Sequence, residues 1–203
     1  MGDELLVTTL VPLWLKVAWT AMVAAIVLIY WRHRGPANFL WFSDIAFLAL
    51  VAGLWLESSF IVSLTACMVL VPEILWSVSF FGALLRVPRV TGLADYMFEE
   101  QTPLWLRAVS LFHVPLLAVL VWGPWRLGYE PGVYPWAVMI ALLVLALTRW
   151  LTGPKKNINH VYRLPFAAGA DLTPVQHMLI LMTAVPLALQ LPGHLLLWVM
   201  FGK

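Results

Sequence analysis

Three ionisable side chains, Asp44, Glu73 and His113, lie inside long apolar stretches of this 203-residue chain. An ionisable group in such surroundings is costly and marks a partner or a function. Two carboxylates and an imidazole suit three kinds of chemistry. They can hold a divalent metal that polarises an ester or activates water. They can act as a general acid and base. They can relay protons. His177, one turn into the last apolar stretch, and Asn157 and Asn159, in the loop before it, add polar groups suited to clamping a substrate headgroup. The competing reading is structural: Asp44 bonded to Ser43, a loop amide or Arg34, Glu73 bonded to groups freed by Pro72, and His113 bonded across helices to a Ser or Thr. Such pairs also serve as packing glue.

Other chemistries find less support. Ser58, Ser59 and Ser63 lack a Gly-x-Ser-x-Gly elbow. No Walker loop, dinucleotide fingerprint or His-Glu-x-x-His sequence occurs. Only His113, His177 and His194 fall within apolar stretches, so two bis-histidine haems are excluded and one haem between His113 and His177 is a poor fit. Cys67 is the single cysteine and sits in an apolar run, where it reads as a small buried hydrophobe. A net charge of +2 with no basic tail gives nucleic-acid binding no support.

The elements that must position these groups follow from composition. The chain is 63% hydrophobic and 11% charged, whereas a soluble domain is about a quarter charged. Lipid as solvent accounts for so much apolar surface. Charged and Pro/Gly punctuation divides the chain into six spans. Span 1 runs from about Val11 to Trp31, span 2 from Phe39 to Leu56, and span 3 from Phe60 to Leu85. Span 4 runs from about Leu104 to Arg126, span 5 from Val133 to Trp150, and span 6 from Pro174 to Phe201. The expected fold is all-α, a single-domain bundle of about six transmembrane helices. Pro72 is expected to kink span 3 or break it into two halves, and Pro115 and Pro186 interrupt spans 4 and 6. The acidic start, Met-Gly-Asp-Glu, does not read as a cleavable signal peptide.

Nine of the twelve Lys and Arg residues flank three alternate loops: Arg32 and Arg34; Arg86, Arg89 and Arg107; Arg149, Lys155, Lys156 and Arg163. The positive-inside rule then places these loops in the cytoplasm and both termini outside it. On that orientation Asp44 lies about one and a half turns deep. Glu73 lies about 18 Å and His113 about 14 Å from the cytoplasmic ends of their spans at 1.5 Å per residue. The three can share the cytoplasmic half, while Glu57 and His194 lie toward the outer face. Trp31, Trp41, Trp55, Trp105, Trp125, Trp136, Trp150 and Trp198 fall near span ends, as an aromatic belt requires.

Several strings occur together: Asn38-Phe-Leu-Trp-Phe-Ser-Asp44, Leu54-Trp-Leu-Glu57, Val71-Pro-Glu-Ile-Leu-Trp76, Tyr96-Met-Phe, Leu111-Phe-His113, Arg126-Leu-Gly-Tyr129, Lys156-Asn-Ile-Asn159 and Pro192-Gly-His194. From about Asn38 onward the chain resembles a group of bacterial multi-spanning integral membrane proteins, usually called hypothetical membrane-associated proteins, with no established activity. The resemblance implies a bacterial inner membrane and directs attention to Asp44, Glu73, His113, Asn157 and Asn159. In that group Trp often follows Asn-Ile-Asn; here the position is His160.

Three functions compete. An intramembrane enzyme would use Asp44, Glu73 and His113 on a membrane lipid or another apolar substrate, with Asn157, Asn159 and His177 binding that substrate. A transporter for a small solute or a proton would exploit the helices broken by proline. A structural, assembly or cofactor-binding subunit would pack against another membrane protein or a second copy of itself.

Overall fold

The computed structural model describes residues 9–87, 92–164 and 172–202. Among these residues the chain is helical throughout, and the only extended pairing is an isolated bridge between Tyr129 and Gly202. The α-helices are α1 (Leu13–His33), α2 (Phe42–Trp55), α3 (Ser59–Leu84), α4 (Leu104–Val109), α5 (His113–Leu127), α6 (Tyr134–Leu151), α7 (Pro174–Ala184) and α8 (Leu191–Phe201). Short 3-10 turns precede α2 (Pro36–Leu40) and α5 (Ser110–Phe112), and a π-helical turn, Val185–Gln190, joins α7 to α8.

Among the described residues five helical segments are long and apolar enough to cross a membrane: Leu13–His33, Ser59–Leu84, Leu104–Leu127, Pro131–Leu151 and Pro174–Phe201. This is the architecture of a multi-pass membrane protein. The expected second span is a shorter helix, α2, whose 14 residues extend about 21 Å at 1.5 Å per residue. Proline acts differently in the three interrupted spans. Through Pro72, α3 continues as one helix of 26 residues and is not split into halves. Pro115 cannot donate to the carbonyl four residues back, and the chain tightens into the 3-10 turn just before it. Pro186 lies at the start of the π-helical turn and Pro192 just beyond its end, and the missing donors loosen the ladder there.

The helix α3 is the hub. Twelve of its 26 residues are buried, against five of 21 in α1, where Lys16, Trp19, Val23, Ile26 and Tyr30 form one stripe at steps of three and four. The rest of α1 presents Trp14, Val17, Leu28 and Trp31 outward, surface that water would not tolerate and lipid does. Val62 of α3 is fully buried between two glycines. A Cβ on Gly53 of α2 would lie 3.2 Å from Val62 Cγ2, and one on Gly123 of α5 would lie 2.5 Å from Val62 Cγ1. Small residues at these points let the backbones approach, as membrane helix packing requires. Of the eight tryptophans expected at span ends, seven are strongly exposed there; Trp41 is half-buried.

The two ends of the bundle are knitted by different contacts. At one end Glu57 accepts hydrogen bonds from the backbone N–H of Leu10 (2.8 Å) and from Lys16 Nζ (2.7 Å), and Arg126 Nε donates to the Leu10 carbonyl. Ser59 bonds to Glu130, and the Tyr129 N–H donates to the Phe201 carbonyl. At the other end Lys156 Nζ donates to the Arg34 carbonyl, His33 meets Trp105 edge-on, and Asn159 reaches Leu40 and Phe42. Glu57 closes α2 in the left-handed region at φ 49°, where glycine is the usual residue. Its side-chain bonds to Leu10, Val11 and Lys16 explain why a charged residue is held there.

Candidate functional site

Glu73 lies one residue beyond Pro72 on the buried face of α3 and is fully enclosed. Its two carboxyl oxygens are separately engaged. Ser43, in the first turn of α2, donates its hydroxyl to Oε1 at 2.5 Å, and His113, the first residue of α5, meets Oε2 through Nδ1 at 2.7 Å. A carboxylate only accepts, so with Glu73 ionised His113 Nδ1 is the donor in this contact. Nε2 has no hydrogen-bond partner among the described residues. The imidazole lies between Trp76 and Phe112, each stacked 4.3 Å from it at 24°. These flat walls fix the ring plane, and the carboxylate fixes its rotation.

A wider polar layer surrounds this pair. Asp44, 4% exposed, accepts from Asn38 Nδ2 at 3.3 Å and is near enough to Glu73 for their charges to interact. Tyr30 of α1 shares a hydrogen bond of 3.1 Å with Ser110. Trp76 Nε1 donates to the Tyr96 hydroxyl at 3.2 Å. Tyr96 lies in the connection between α3 and α4. Burial pushes its phenol up, its hydrogen bonds with Ser110 and Trp76 oppose this, and the charges of Glu73 and Asp44 add to it. Ser110, Tyr30, Tyr96 and Trp76 carried no assignment in the sequence, and Ser43, expected as a partner of Asp44, bonds to Glu73. Ser43 carried a signal, since it adjoins Asp44 at a helix start.

The three residues expected to form one centre are thus brought to one layer, but not as a metal site. Glu73 and His113 pair directly, whereas Asp44 turns to Asn38. No group of three or more His, Cys, Asp or Glu side chains among the described residues is arranged to hold a metal ion.

Asn157, Asn159 and His177, expected to bind substrate, each bond to backbone groups of this chain. Asn157 and Asn159 adopt left-handed backbone, φ 41° and 49°, which asparagine tolerates better than most residues. Asn157 Oδ1 accepts from the N–H of Tyr162 and of Arg163, both at 2.9 Å, and its Nδ2 donates to the Arg163 carbonyl. Asn159, 5% exposed, donates to the Leu40 carbonyl at 2.7 Å and accepts from the Phe42 N–H at 3.1 Å. It therefore caps the start of α2, two residues before Asp44. His177 Nε2 donates to the His160 carbonyl at 2.9 Å, pinning α7 to the same loop. His160 packs edge-on against Trp41, and burial first, then the nearby His177, hold its ring below the usual value of 6.5. His194 is apart, as expected: its Nδ1 meets the Tyr129 hydroxyl at 2.8 Å.

Neither protein-family models, nor curated proteins, nor solved structures give a match to this chain.

Proposed function

We propose that this protein is an intramembrane enzyme acting on a lipid or another apolar substrate by general acid–base chemistry. The observation that carries the reading is the 2.7 Å contact from His113 Nδ1 to Glu73, with Nε2 left free. A carboxylate that fixes one imidazole nitrogen leaves the other as base for a water or substrate hydroxyl, and later as acid for the leaving group. Glu73 stabilises the imidazolium formed on the way, and Asp44 supplies a second carboxyl in the same layer. Among the described residues no hydroxyl donates to His113 Nε2, so direct attack by water fits better than a covalent serine intermediate.

The chain crosses the membrane six times in this reading. The sixth crossing is α2, because its two ends belong to the two opposite sets of end contacts: Trp41 packs with His160 at one, and Glu57 binds Lys16 at the other. The end that carries nine of the twelve cations faces the cytoplasm, and both termini lie outside it. The resemblance to bacterial integral membrane proteins favours an inner membrane. The dyad then lies in the cytoplasmic half, at a depth an ester bond of that leaflet reaches.

The test is turnover of a total bacterial lipid extract by reconstituted protein, with products identified by mass spectrometry. The His113→Ala variant should lose activity by about 100-fold or more, the usual contribution of a positioned base, while remaining folded, at a stability cost of about 1–3 kcal/mol for the Glu73 oxygen left without its partner. Equal product from both proteins, or none from the wild type, would overturn the proposal.

A further inference from the structure

A cavity of about 270 Å³ opens between α6, the start of α7 and the loop 152–164. Its polar lining is Arg149, Arg163, Tyr162 and His177, and no acidic residue lines it among the described residues. Neither guanidinium is paired with a carboxylate among the described residues. Unpaired arginines facing one hollow at a membrane end are unusual, because such groups normally find an anion.

The walls are built in advance. Asn157 binds the backbone of Tyr162 and Arg163 through three hydrogen bonds of 2.8 to 2.9 Å. The Tyr162 hydroxyl donates to the Arg149 carbonyl at 2.9 Å, and its ring lies 4.1 Å below the Arg149 guanidinium. His177 is tied to His160. Stacking on Tyr162 restricts the Arg149 side chain, and the clamp on its backbone holds Arg163 at the rim. The Arg149 guanidinium held on Tyr162, with the Arg163 side chain carried at the rim beside it, suits the paired oxygens of a phosphate. The apolar remainder of the lining, Val161, Leu164 and Leu172, suits a group that stands on acyl chains.

We infer that this cavity is a binding site for a phosphate group, with Arg149 and Arg163 as its ligands, at the bundle end where the headgroups of one leaflet lie. This inference does not depend on the His113–Glu73 site, which lies on other helices.

The test is native mass spectrometry of delipidated protein in mild detergent, titrated with phosphatidylglycerol and with phosphatidylcholine. Wild type should retain one phosphatidylglycerol in preference to phosphatidylcholine, whose choline the two arginines repel. The double variant R149Q/R163Q should bind phosphatidylglycerol about 100-fold more weakly, roughly tenfold for each charge-assisted contact removed. Since Arg149 also packs on Tyr162, Arg163→Gln alone, whose side chain is exposed, gives the same test at about tenfold. Competition with 10 mM inorganic phosphate, on the order of a weak-site affinity, separates the sources. No displacement assigns the site to a lipid headgroup, and displacement assigns it to free phosphate. Equal phosphatidylglycerol affinity in wild type and both variants would overturn the inference.

Discussion

Replacing Gly123 by alanine should push α5 away from α3 and damage the site at the far end of the same helix pair. The added Cβ would lie 2.5 Å from Val62 Cγ1, where ordinary contact begins near 3.4 Å, a shortfall of about 0.9 Å. Val62 cannot easily yield. It is fully buried, and a β-branched side chain in a helix has essentially one rotamer. Overpacking of this kind costs about 1–3 kcal/mol. If the helices part by the whole shortfall, the 2.7 Å contact between Glu73 and His113 stretches to about 3.6 Å, too long for a hydrogen bond. The Val62→Ala change removes the obstructing methyls, so the double variant should be more stable than the two single effects summed, with a coupling of about 1–3 kcal/mol. Unfolding midpoints of the four proteins in one detergent measure this cycle, and lipid turnover on the same samples reads the dyad. Strict additivity, or wild-type stability for Gly123→Ala, would refute the argument that these two side-chain positions set the α3–α5 distance.

Two further outcomes follow from single carboxylates. Glu73→Ala strands the Ser43 hydroxyl and His113 Nδ1 in a dry interior, at about 1–3 kcal/mol for each unsatisfied group, whereas Glu73→Gln keeps hydrogen-bonding capacity on both sides and should unfold close to wild type; equal destabilisation by the two would sink this account. At the opposite end, the hydrogen bond from Lys16 first, with backbone N–H bonds from Leu10 and Val11, holds Glu57 below its ordinary value of 4.5. A depressed carboxyl contributes stability that is complete above the unfolded value and is lost as pH falls through the folded one. The stability gap between wild type and Glu57→Gln should therefore be constant from pH 7 to about 5 and close below 4.5. A gap that does not change with pH would show that the clamp on Leu10 and Val11 does not use the charge of Glu57.

Depth along apolar runs was enough to bring Asp44, Glu73 and His113 to one layer, because rise per residue is fixed once a span and its direction are known. Facing was not legible. Whether Asp44 turns toward Glu73 or toward Asn38 depends on the 3-10 turn before α2, which no apolar period encodes. The backbone bonding of the asparagines was illegible for a related reason. Asn157 and Asn159 alternate in a short cationic loop, a pattern that reads as exposed donors. Left-handed backbone at both positions folds their amides back onto the chain instead, and Asn has this habit in turns. The span lengths were legible where both flanks were charged or broken. At α2 the apolar run continues into the turn Pro36–Leu40, so composition overstated the helix.

That shortness bears on why a polar site can exist here at all. If α2 is the sixth crossing proposed above, its length of about 21 Å falls some 9 Å short of a hydrocarbon core near 30 Å thick. Trp55 and the Glu57 clamp hold one end of α2 at the surface that binds Lys16, so the missing length falls at the other end. There Asn38, Ser43 and Asp44 enter at a depth that an ordinary span would fill with aliphatic side chains. Irregular backbone at that depth is tolerated only when protein covers it and satisfies its polar groups. Asn159 does this, with bonds to Leu40 and Phe42 that complete the start of α2. Asn159 thereby maintains the recess in which Ser43 reaches Glu73 and Glu73 orients His113. The site is thus a consequence of one helix ending early, with its ragged end capped from a loop more than a hundred residues away.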